Sequence, residues 1–215
     1  MSRRTVAALR FAVPLAAFAG MLFVPRAVAA TIIDEWSSVS VPPPPEVKPV
    51  TLDKSTTALL MLDFNQQTCN MQRRPRCVAS IPHVKKLLTA ARAAGIPVAF
   101  TLGGGGKPAD LPKDLEPAAG EPVVLAGVDK FVSTELESFL KGKGVKTVIT
   151  VGTAAHGAVL YTASGAAMRG FKVIVPLDGV SGDNTYTEQY AAWHLANVPV
   201  LSPAMTLTTL DGVKF

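Results

Sequence analysis

The chain has 215 residues, a length that suits one globular domain with a short appendage. Because 48% of the residues are hydrophobic, the composition excludes a mainly disordered chain and allows a buried core. The formal charge of +5 depends on four arginines within residues 1–30, and the remainder has 17 basic and 16 acidic residues. A nearly neutral domain gives no electrostatic reason to expect nucleic acid or an anionic membrane surface as a partner.

Residues 1–30 have the three parts of a secretory signal peptide. A basic start precedes the apolar stretch Phe11–Val24, and residues 27–29 supply the small side chains that signal peptidase requires. Pro14 interrupts the apolar stretch, which is short for a membrane span. We therefore predict a periplasmic or secreted protein with no membrane attachment after cleavage. An uncleaved N-terminal anchor is the alternative.

Residues 31–54 are rich in proline, with Pro49 and the unbroken run Pro42–Pro45. Such a run favours extended polyproline II structure and cannot join a helix or a central strand. This composition predicts an arm or linker that is free or lies across a partner subunit. The globular domain is then expected at residues 55–215.

From Thr57 onward, apolar strand patterns alternate with helical patterns. The predicted strands are Thr57–Phe64, Pro97–Leu102, Lys146–Val151, Phe171–Leu177 and a last strand that begins with Val198–Leu201. The predicted helices are Ile81–Ala94, Ser133–Lys143, Ala158–Arg169 and Thr187–Ala196. Continuously apolar strands indicate a sheet that helices cover on both faces. We therefore predict an α/β fold, a three-layer, Rossmann-like, doubly wound sheet that is mostly parallel and has about six strands.

Cys69 and Cys77 are the only cysteines of the chain, and they flank a short polar loop. In an exported protein, such a pair is more often a disulfide than a metal or redox site. Closing this loop is expected to stabilise the fold by roughly 2–3 kcal/mol in the chain-entropy model. One thiol pair and three scattered histidines have no metal-site spacing.

In doubly wound sheets, ligands bind beyond the carboxyl ends of the strands. Three polar or small-residue positions of this sequence are candidates for such a site. Asp63 ends the first strand, and the turn Gly152–Gly157 lies between a central strand and a helix, so both should face one crevice. Each also has a purely structural explanation. Asp63 can be a helix N-cap or a turn residue, and the small residues of the turn can permit close packing of the helix on the sheet. Lys130 on its own would be taken for a solvated lysine.

Taken in order, these segments resemble the isochorismatase-like superfamily, which includes nicotinamidases and other amidohydrolases. The resemblance rests on the strand TALLMLDF, a lysine before a helix and a strand, and VGTAAHGAVLYTASGAAMRGFKVIVPLDGVS. It covers roughly residues 56–205 and implies a six-stranded Rossmann-like fold with an Asp–Lys–Cys catalytic set. The family aspartate falls on Asp63 and the lysine on Lys130, whereas the position of the cysteine is occupied by Ala158. The resemblance also implies a cis peptide at Thr153–Ala154 and an oxyanion hole formed by the N–H groups of Ala154 and Ala158.

Alanine at position 158 has no nucleophile, which closes the thioester route of the amidohydrolases. The isochorismatases proper, as the resemblance suggests, have a small residue there and cleave a vinyl ether while the aspartate handles the proton. We therefore predict an exported hydrolase of a small molecule, with Asp63 as general acid/base and Lys130 modulating its charge. One alternative is a non-catalytic binding or assembly protein on the same fold. The other is an amidohydrolase that uses Cys69 as a relocated nucleophile, which a disulfide would silence.

The remaining predictions concern contacts and partners. Residues expected to line the substrate pocket are Phe64, Asn65, Phe131, His156 and Tyr161. Near a helix start, His156 can donate a proton or bind an anionic substrate, although a solvated loop histidine is the commoner case. Gly103–Gly106 is expected to form a mobile rim. Metal-using relatives have aspartate and histidine after the second strand, where this chain has Asp110 and no histidine. We expect no metal and no cofactor, and a homo-oligomer stays open.

Overall fold

The computed structural model describes residues 30–215, so the predicted signal peptide lies outside the described residues except for its last position. Contacts between residues divide the chain into two units, with the boundary after Val41. The described part of the first unit contains the short helix α1, Ile32–Glu35, and one turn of 3-10 helix. No helix within residues 30–215 combines the length and the apolar character that crossing a bilayer requires.

The second unit, from Pro42 onward, alternates strands and helices. Its strands are β1 Val50–Thr51, β2 Thr57–Leu62, β3 Val98–Leu102, β4 Val123–Leu125, β5 Thr147–Thr153, β6 Lys172–Pro176, β7 Val180–Ser181, β8 Met205–Thr208 and β9 Val213–Lys214. Its α-helices are α2 Pro75–Ala93, α3 Leu136–Gly142, α4 Leu160–Met168 and α5 Thr185–Asn197. The π-helical turn Ala155–Val159 joins β5 to α4.

The main sheet is seven-stranded and its pairings are parallel, in the order β4-β3-β2-β5-β6-β8 with the short β7 beside β5. This confirms the predicted α/β class and the doubly wound, Rossmann-like arrangement. The strand β2 lies inside the sheet between β3 and β5, and all six of its residues are buried. The strands β1 and β9 form a separate parallel pair.

Two hydrophobic clusters explain why β2 is apolar throughout. Leu59 and Met61 belong to a cluster with the buried side chains of α2, whereas Ala58, Leu60 and Leu62 belong to a cluster that includes residues of α4. Because successive side chains of a strand point to opposite faces of the sheet, a strand with helices on both sides must be apolar at every position. Burial on both faces of the sheet therefore explains the continuous apolar pattern in the sequence of β2.

The largest differences from the predicted boundaries are at two places. The last strand of the main sheet is β8, and residues 199–201 of the expected strand Val198–Leu201 form a turn in which Val200 has a φ of 70° and is 90% exposed. Pro199 cannot donate a ladder hydrogen bond, so this apolar run is unsuited to the sheet. Helix α2 begins at Pro75, earlier than the predicted Ile81, because proline fits the first turn of a helix.

Part of the proline-rich segment is tied to the second unit. The N–H of Lys48 donates to the carbonyl of Leu207, and Val50 and Leu52 donate to residues at the C-terminal end. These bonds place β1 beside β9. Residues 48–52 therefore belong to the edge of the domain rather than to a free arm.

Candidate active site

The candidate site, where the crevice is predicted, is the edge of the sheet at which three neighbouring parallel strands end. Leu62 of β2 is in register with Thr101 of β3 and with Gly152 of β5, so Asp63 follows at the same edge as Thr153. Gly152 has a φ of 129°, and a Cβ at this position would collide with the carbonyl oxygen of Leu62. Only glycine therefore lets β2 and β5 approach closely at the edge where the crevice opens.

Both carboxylate oxygens of Asp63 are held by buried side chains. Lys130 Nζ donates to Oδ2 at 2.7 Å, and Thr101 Oγ1 donates to Oδ1 at 2.7 Å. A Cβ at position 103 would lie 2.5 Å from Oδ2, so Gly103 leaves the space that the carboxylate occupies. Asp63 itself has a φ of 53°, a left-handed conformation that aspartate tolerates better than most residues. The side chain is thus fixed in one orientation at the end of β2.

Burial raises the pKa of the Asp63 carboxyl above its ordinary value. The positive charge of Lys130 and the hydrogen bonds from Lys130 and Thr101 oppose this effect, but the loss of water is larger. The carboxyl group can therefore hold a proton at a higher pH than an exposed aspartate. A carboxyl group of this kind is suited to general acid/base chemistry.

Lys130 reaches the crevice from the connection between β4 and α3. Its side chain is buried, and Nζ also donates to the carbonyl of Ala126 at 3.4 Å. The backbone N–H of Lys130 donates to Thr162 Oγ1, which attaches this connection to α4. The structure thus brings together Asp63 and Lys130, the two charged residues that the resemblance selected.

The turn after β5 forms another wall of the crevice. The Thr153–Ala154 peptide bond is cis, and the carbonyl of Ala154 accepts hydrogen bonds from the N–H groups of Gly157 and Val159. Ala158, which the resemblance aligns with the family cysteine, is buried in the π-helical turn. Its methyl group supplies no nucleophile at this position.

The predicted substrate contacts occupy different surroundings. Phe64 is buried in the core, and Phe131 stacks on Phe171 with ring centroids 6.0 Å apart. Asn65 is fully buried, donates to the carbonyl of Gly103 and accepts from its N–H, whereas Tyr161 is 54% exposed. Contact of these side chains with a ligand stays a prediction.

The glycine-rich segment after β3 is held by Asn65. A Cβ at Gly106 would collide with the Asn65 amide, so this position also requires a residue without a side chain. The N–H of Gly106 donates to the carbonyl of Gly103, which closes a turn. The predicted mobility of this rim is not tested by these contacts.

A disulfide joins Cys69 to Cys77. Neither sulfur is a free thiol in this structure, so Cys69 offers no thiolate. In the same segment, the Thr68 hydroxyl donates to the backbone carbonyl of Asp63. The disulfide loop, which begins at Cys69, therefore directly follows a residue that is hydrogen-bonded to the backbone of Asp63.

Three charged or titratable side chains meet beside the disulfide loop, and sequence reasoning had missed two of them. Arg74 is buried, and its Nη1 donates to the carbonyl of Thr68 at 2.8 Å. Its Nε lies 2.7 Å from Asp183 Oδ1, and His156 Nε2 lies 4.0 Å from Asp183 Oδ2. The one signal for Arg74 was a charged residue between two cysteines, directly before a helix-starting proline.

The residues that the structure describes contain no group of three or more His, Cys, Asp or Glu side chains placed to hold a metal ion. The carboxylates Asp63 and Asp183 are paired with Lys130 and Arg74.

The model of the isochorismatase domain matches residues 57–209. The chain is 32% identical to the secreted isochorismatase effector Isc1 of Verticillium dahliae, over 78% of this chain and 94% of that protein. It is 30% identical to an N-carbamoylsarcosine amidase of an Arthrobacter species, over 46% and 48% of the two chains. An isochorismatase family protein of Desulfovibrio vulgaris has the same fold, with a TM-score of 0.65, 22% identity and coverage of 73% and 95%.

Proposed function

The chain belongs to the isochorismatase family, and on this basis we propose that it is an exported hydrolase that cleaves a small molecule without a covalent enzyme intermediate. The observation that carries the proposal is the buried carboxyl of Asp63, which Lys130 and Thr101 hold beside a turn with alanine at position 158. A site with an acid/base group and no nucleophile is suited to direct attack by water.

In this mechanism Asp63 transfers a proton at the bond that is cleaved. A water molecule supplies a hydroxyl group to one product and a proton to the other, so the enzyme is regenerated unchanged. Lys130 compensates the negative charge of the Asp63 carboxylate after the proton leaves, and the N–H groups of Ala154 and Ala158 stabilise a developing oxyanion. The raised pKa of Asp63 supports this role, because the carboxyl exchanges its proton closer to neutral pH.

Three observations support export. The first 30 residues have the composition of a signal peptide, and the relative from Verticillium dahliae is a secreted protein. The disulfide between Cys69 and Cys77 is typical of proteins that fold in an oxidising compartment. We propose a periplasmic or extracellular location for the mature chain.

Substitution of Asp63 by Asn tests the mechanism. The purified mature protein is first screened with vinyl ethers, amides and esters of small acids, and product formation is followed by mass spectrometry. Turnover of any substrate found should fall by roughly 10²- to 10⁴-fold in the Asp63→Asn variant, since the amide cannot exchange the proton. The matched control is Asp114→Asn, which changes an exposed carboxylate paired with Lys85. Unchanged turnover in Asp63→Asn would contradict the proposal.

A second candidate function, a non-catalytic binding protein, is favoured by the alanine at position 158. In that case the same panel would contain compounds that raise the midpoint of thermal unfolding but yield no product, because a ligand of the native state stabilises it. The third possibility, catalysis by Cys69, predicts that an alkylating reagent inactivates the unreduced protein. It requires a free Cys69 thiol, so turnover that resists alkylation without reduction would contradict it.

A further inference from the structure

Lys130 belongs to a segment without helix or strand, residues 126–135 between β4 and α3. Segments of this kind are generally more mobile than the regular elements that they join. The Lys130 ammonium nevertheless lies 2.7 Å from the Asp63 carboxylate in a buried place, where a small displacement would break the hydrogen bond. The Lys130 segment therefore requires a rigid support, and helix α4 provides it.

Asp129, the residue before Lys130, packs directly on α4. Its carboxylate lies against Gly165, where a Cβ would be 2.7 Å from Oδ2 and 2.8 Å from Oδ1 of Asp129. Glycine at position 165 therefore leaves the space that this carboxylate occupies. Asp129 Oδ1 also accepts a hydrogen bond from the N–H of Phe131 at 3.0 Å. One carboxylate thus touches the helix and joins the residue before Lys130 to the residue after it.

Arg169, at the C-terminal end of α4, holds the Asp129 carboxylate in place. Its Nη1 lies 3.5 Å from Asp129 Oδ2, and its Nε lies 2.9 Å from Glu137 Oε2 in α3. The guanidinium also lies over the ring of Phe131, with 4.7 Å between Cζ and the ring centroid, which is the arrangement of a cation–π contact. These three contacts attach the Lys130 segment to α3 and to α4.

One face of α4 carries these contacts, because Thr162, Gly165 and Arg169 are spaced three and four residues apart. Thr162 Oγ1 accepts a hydrogen bond from the backbone N–H of Lys130 at 3.3 Å. The same helix begins directly after the turn that contains Ala158. A single helix therefore sets the position of the Lys130 segment relative to this turn.

We infer that Asp129 is a positioning residue, which keeps the Lys130 ammonium at the Asp63 carboxylate. Arg169 and Gly165 act with it, the first through its charge and the second by leaving room for the carboxylate. The inference rests on the proposed function for its effect on turnover, because Lys130 affects catalysis only if Asp63 transfers the proton. Displacement of the ammonium, in contrast, is measurable without a substrate.

The substitution Asp129→Ala tests the inference through the pKa of the Asp63 carboxyl, measured by NMR titration of the purified mature protein. Lys130 and Arg74 are cations that lower this pKa against burial, and of the two Lys130 is on the segment that Asp129 holds. Displacement of the ammonium should therefore raise the pKa of Asp63 further. Loss of the Asp129 charge by itself would act in the opposite direction, because a nearby negative charge raises the pKa of a carboxyl. The sign of the shift distinguishes positioning from a direct electrostatic effect.

Gly165→Ala is a second variant, which displaces the Asp129 carboxylate without changing any charge. Alanine also favours a helix more than glycine does, so α4 should stay formed. This variant should raise the pKa of Asp63 in the same direction as Asp129→Ala. The double variant should show no more than the larger single shift, because both substitutions remove the same contact.

Arg169→Gln should also raise the pKa of Asp63, whereas Arg92→Gln, the matched control, should leave it unchanged. Arg92 is likewise a partly exposed arginine at the end of a helix, and it pairs with Glu121. A purely structural role of Arg169 predicts instead that both substitutions lower stability and that neither changes the pKa of Asp63.

Once a substrate is found, Asp129→Ala should lower kcat by roughly 10-fold with little change in KM, since the displaced ammonium no longer compensates the Asp63 carboxylate. An unchanged or lowered pKa of Asp63 in Asp129→Ala, or additive shifts with Gly165→Ala, would overturn the inference. If Asp129→Ala fails to fold, the pKa of Asp63 in Gly165→Ala decides alone. A raised pKa combined with turnover that Asp63→Asn leaves unchanged would support the positioning role and contradict the proposed function, so the two failures are distinguishable.

Discussion

Two lysine–carboxylate pairs of nearly equal length lie in very different surroundings. Lys130 Nζ is 2.7 Å from Asp63 Oδ2, and the side chains are 1% and 7% exposed. Lys85 Nζ is 2.6 Å from Asp114 Oδ1, and the side chains are 52% and 53% exposed. Because water screens the exposed pair and is excluded from the buried one, similar distances represent different energies.

The buried pair differs also in what supports it. Lys130 has a second acceptor in the carbonyl of Ala126, and Asp63 has a second donor in Thr101. Burying both charges removes their hydration, which costs free energy that the exposed pair retains. For this reason, replacement of a buried ion pair by apolar residues is often neutral or stabilising. Nearly equal distances therefore do not mark equivalent pairs, because burial gives the Lys130–Asp63 pair a desolvation cost that the Lys85–Asp114 pair does not have.

The largest expected effect is on removal of one member of the buried pair. Lys130→Met leaves Asp63 without the cation at hydrogen-bonding distance, so the free energy of unfolding at neutral pH should fall by about 3–5 kcal/mol. Urea denaturation followed by circular dichroism measures this change. A loss below about 1 kcal/mol would mean that the buried and the exposed pair contribute similarly to stability, which would contradict this prediction.

A second prediction uses the pH dependence of stability. Because burial raises the pKa of Asp63 in the folded state, the folded protein binds more protons than the unfolded chain between the ordinary and the raised value. The contribution of Asp63 is therefore fully present below the ordinary pKa and is lost as the pH rises through the raised pKa. The slope is at most about 1.4 kcal/mol for each pH unit.

The effect of this one carboxyl is isolated by comparing denaturation curves of the wild-type protein and Asp63→Asn. The curves are recorded between pH 4 and pH 8, conditions chosen to span this window. The unfolding free energy of the wild type minus that of the variant should decrease as the pH rises. An increase would indicate that Lys130 and Thr101 outweigh burial and that the folded-state pKa of Asp63 is lowered. Only the slope is compared, since the substitution also removes the partner of Lys130.

The smallest effect is expected at the exposed pair. Lys85→Ala should change the unfolding free energy by no more than about 0.5 kcal/mol, because water and salt screen this interaction. Denaturation at low and high sodium chloride concentrations measures the difference, which should shrink as salt is added. A salt-independent loss comparable to that of Lys130→Met would show that exposure does not control the strength of these pairs.

The sequence by itself determined the strand–helix alternation and the position of Asp63 at the end of an apolar strand. These features follow from local physics, since a strand covered on both faces must be apolar at every residue and a helix repeats its apolar face every three to four residues. The same local patterns failed at Val198–Leu201, because an apolar run next to Pro199 resembles a strand without being able to join the ladder. The family resemblance, rather than spacing, selected Lys130 as the partner of Asp63.

Only the tertiary structure decided which polar residues meet. Arg74, His156 and Asp183 come from three separate segments, and no periodic pattern relates a residue of one loop to a residue of another. Thr101 is likewise one threonine in a buried strand until the register of β3 against β2 brings its hydroxyl to Asp63. Hydrophobic periodicity is a property of neighbours along the chain, whereas the balance between burial and charge pairing depends on residues that the fold brings together from a distance.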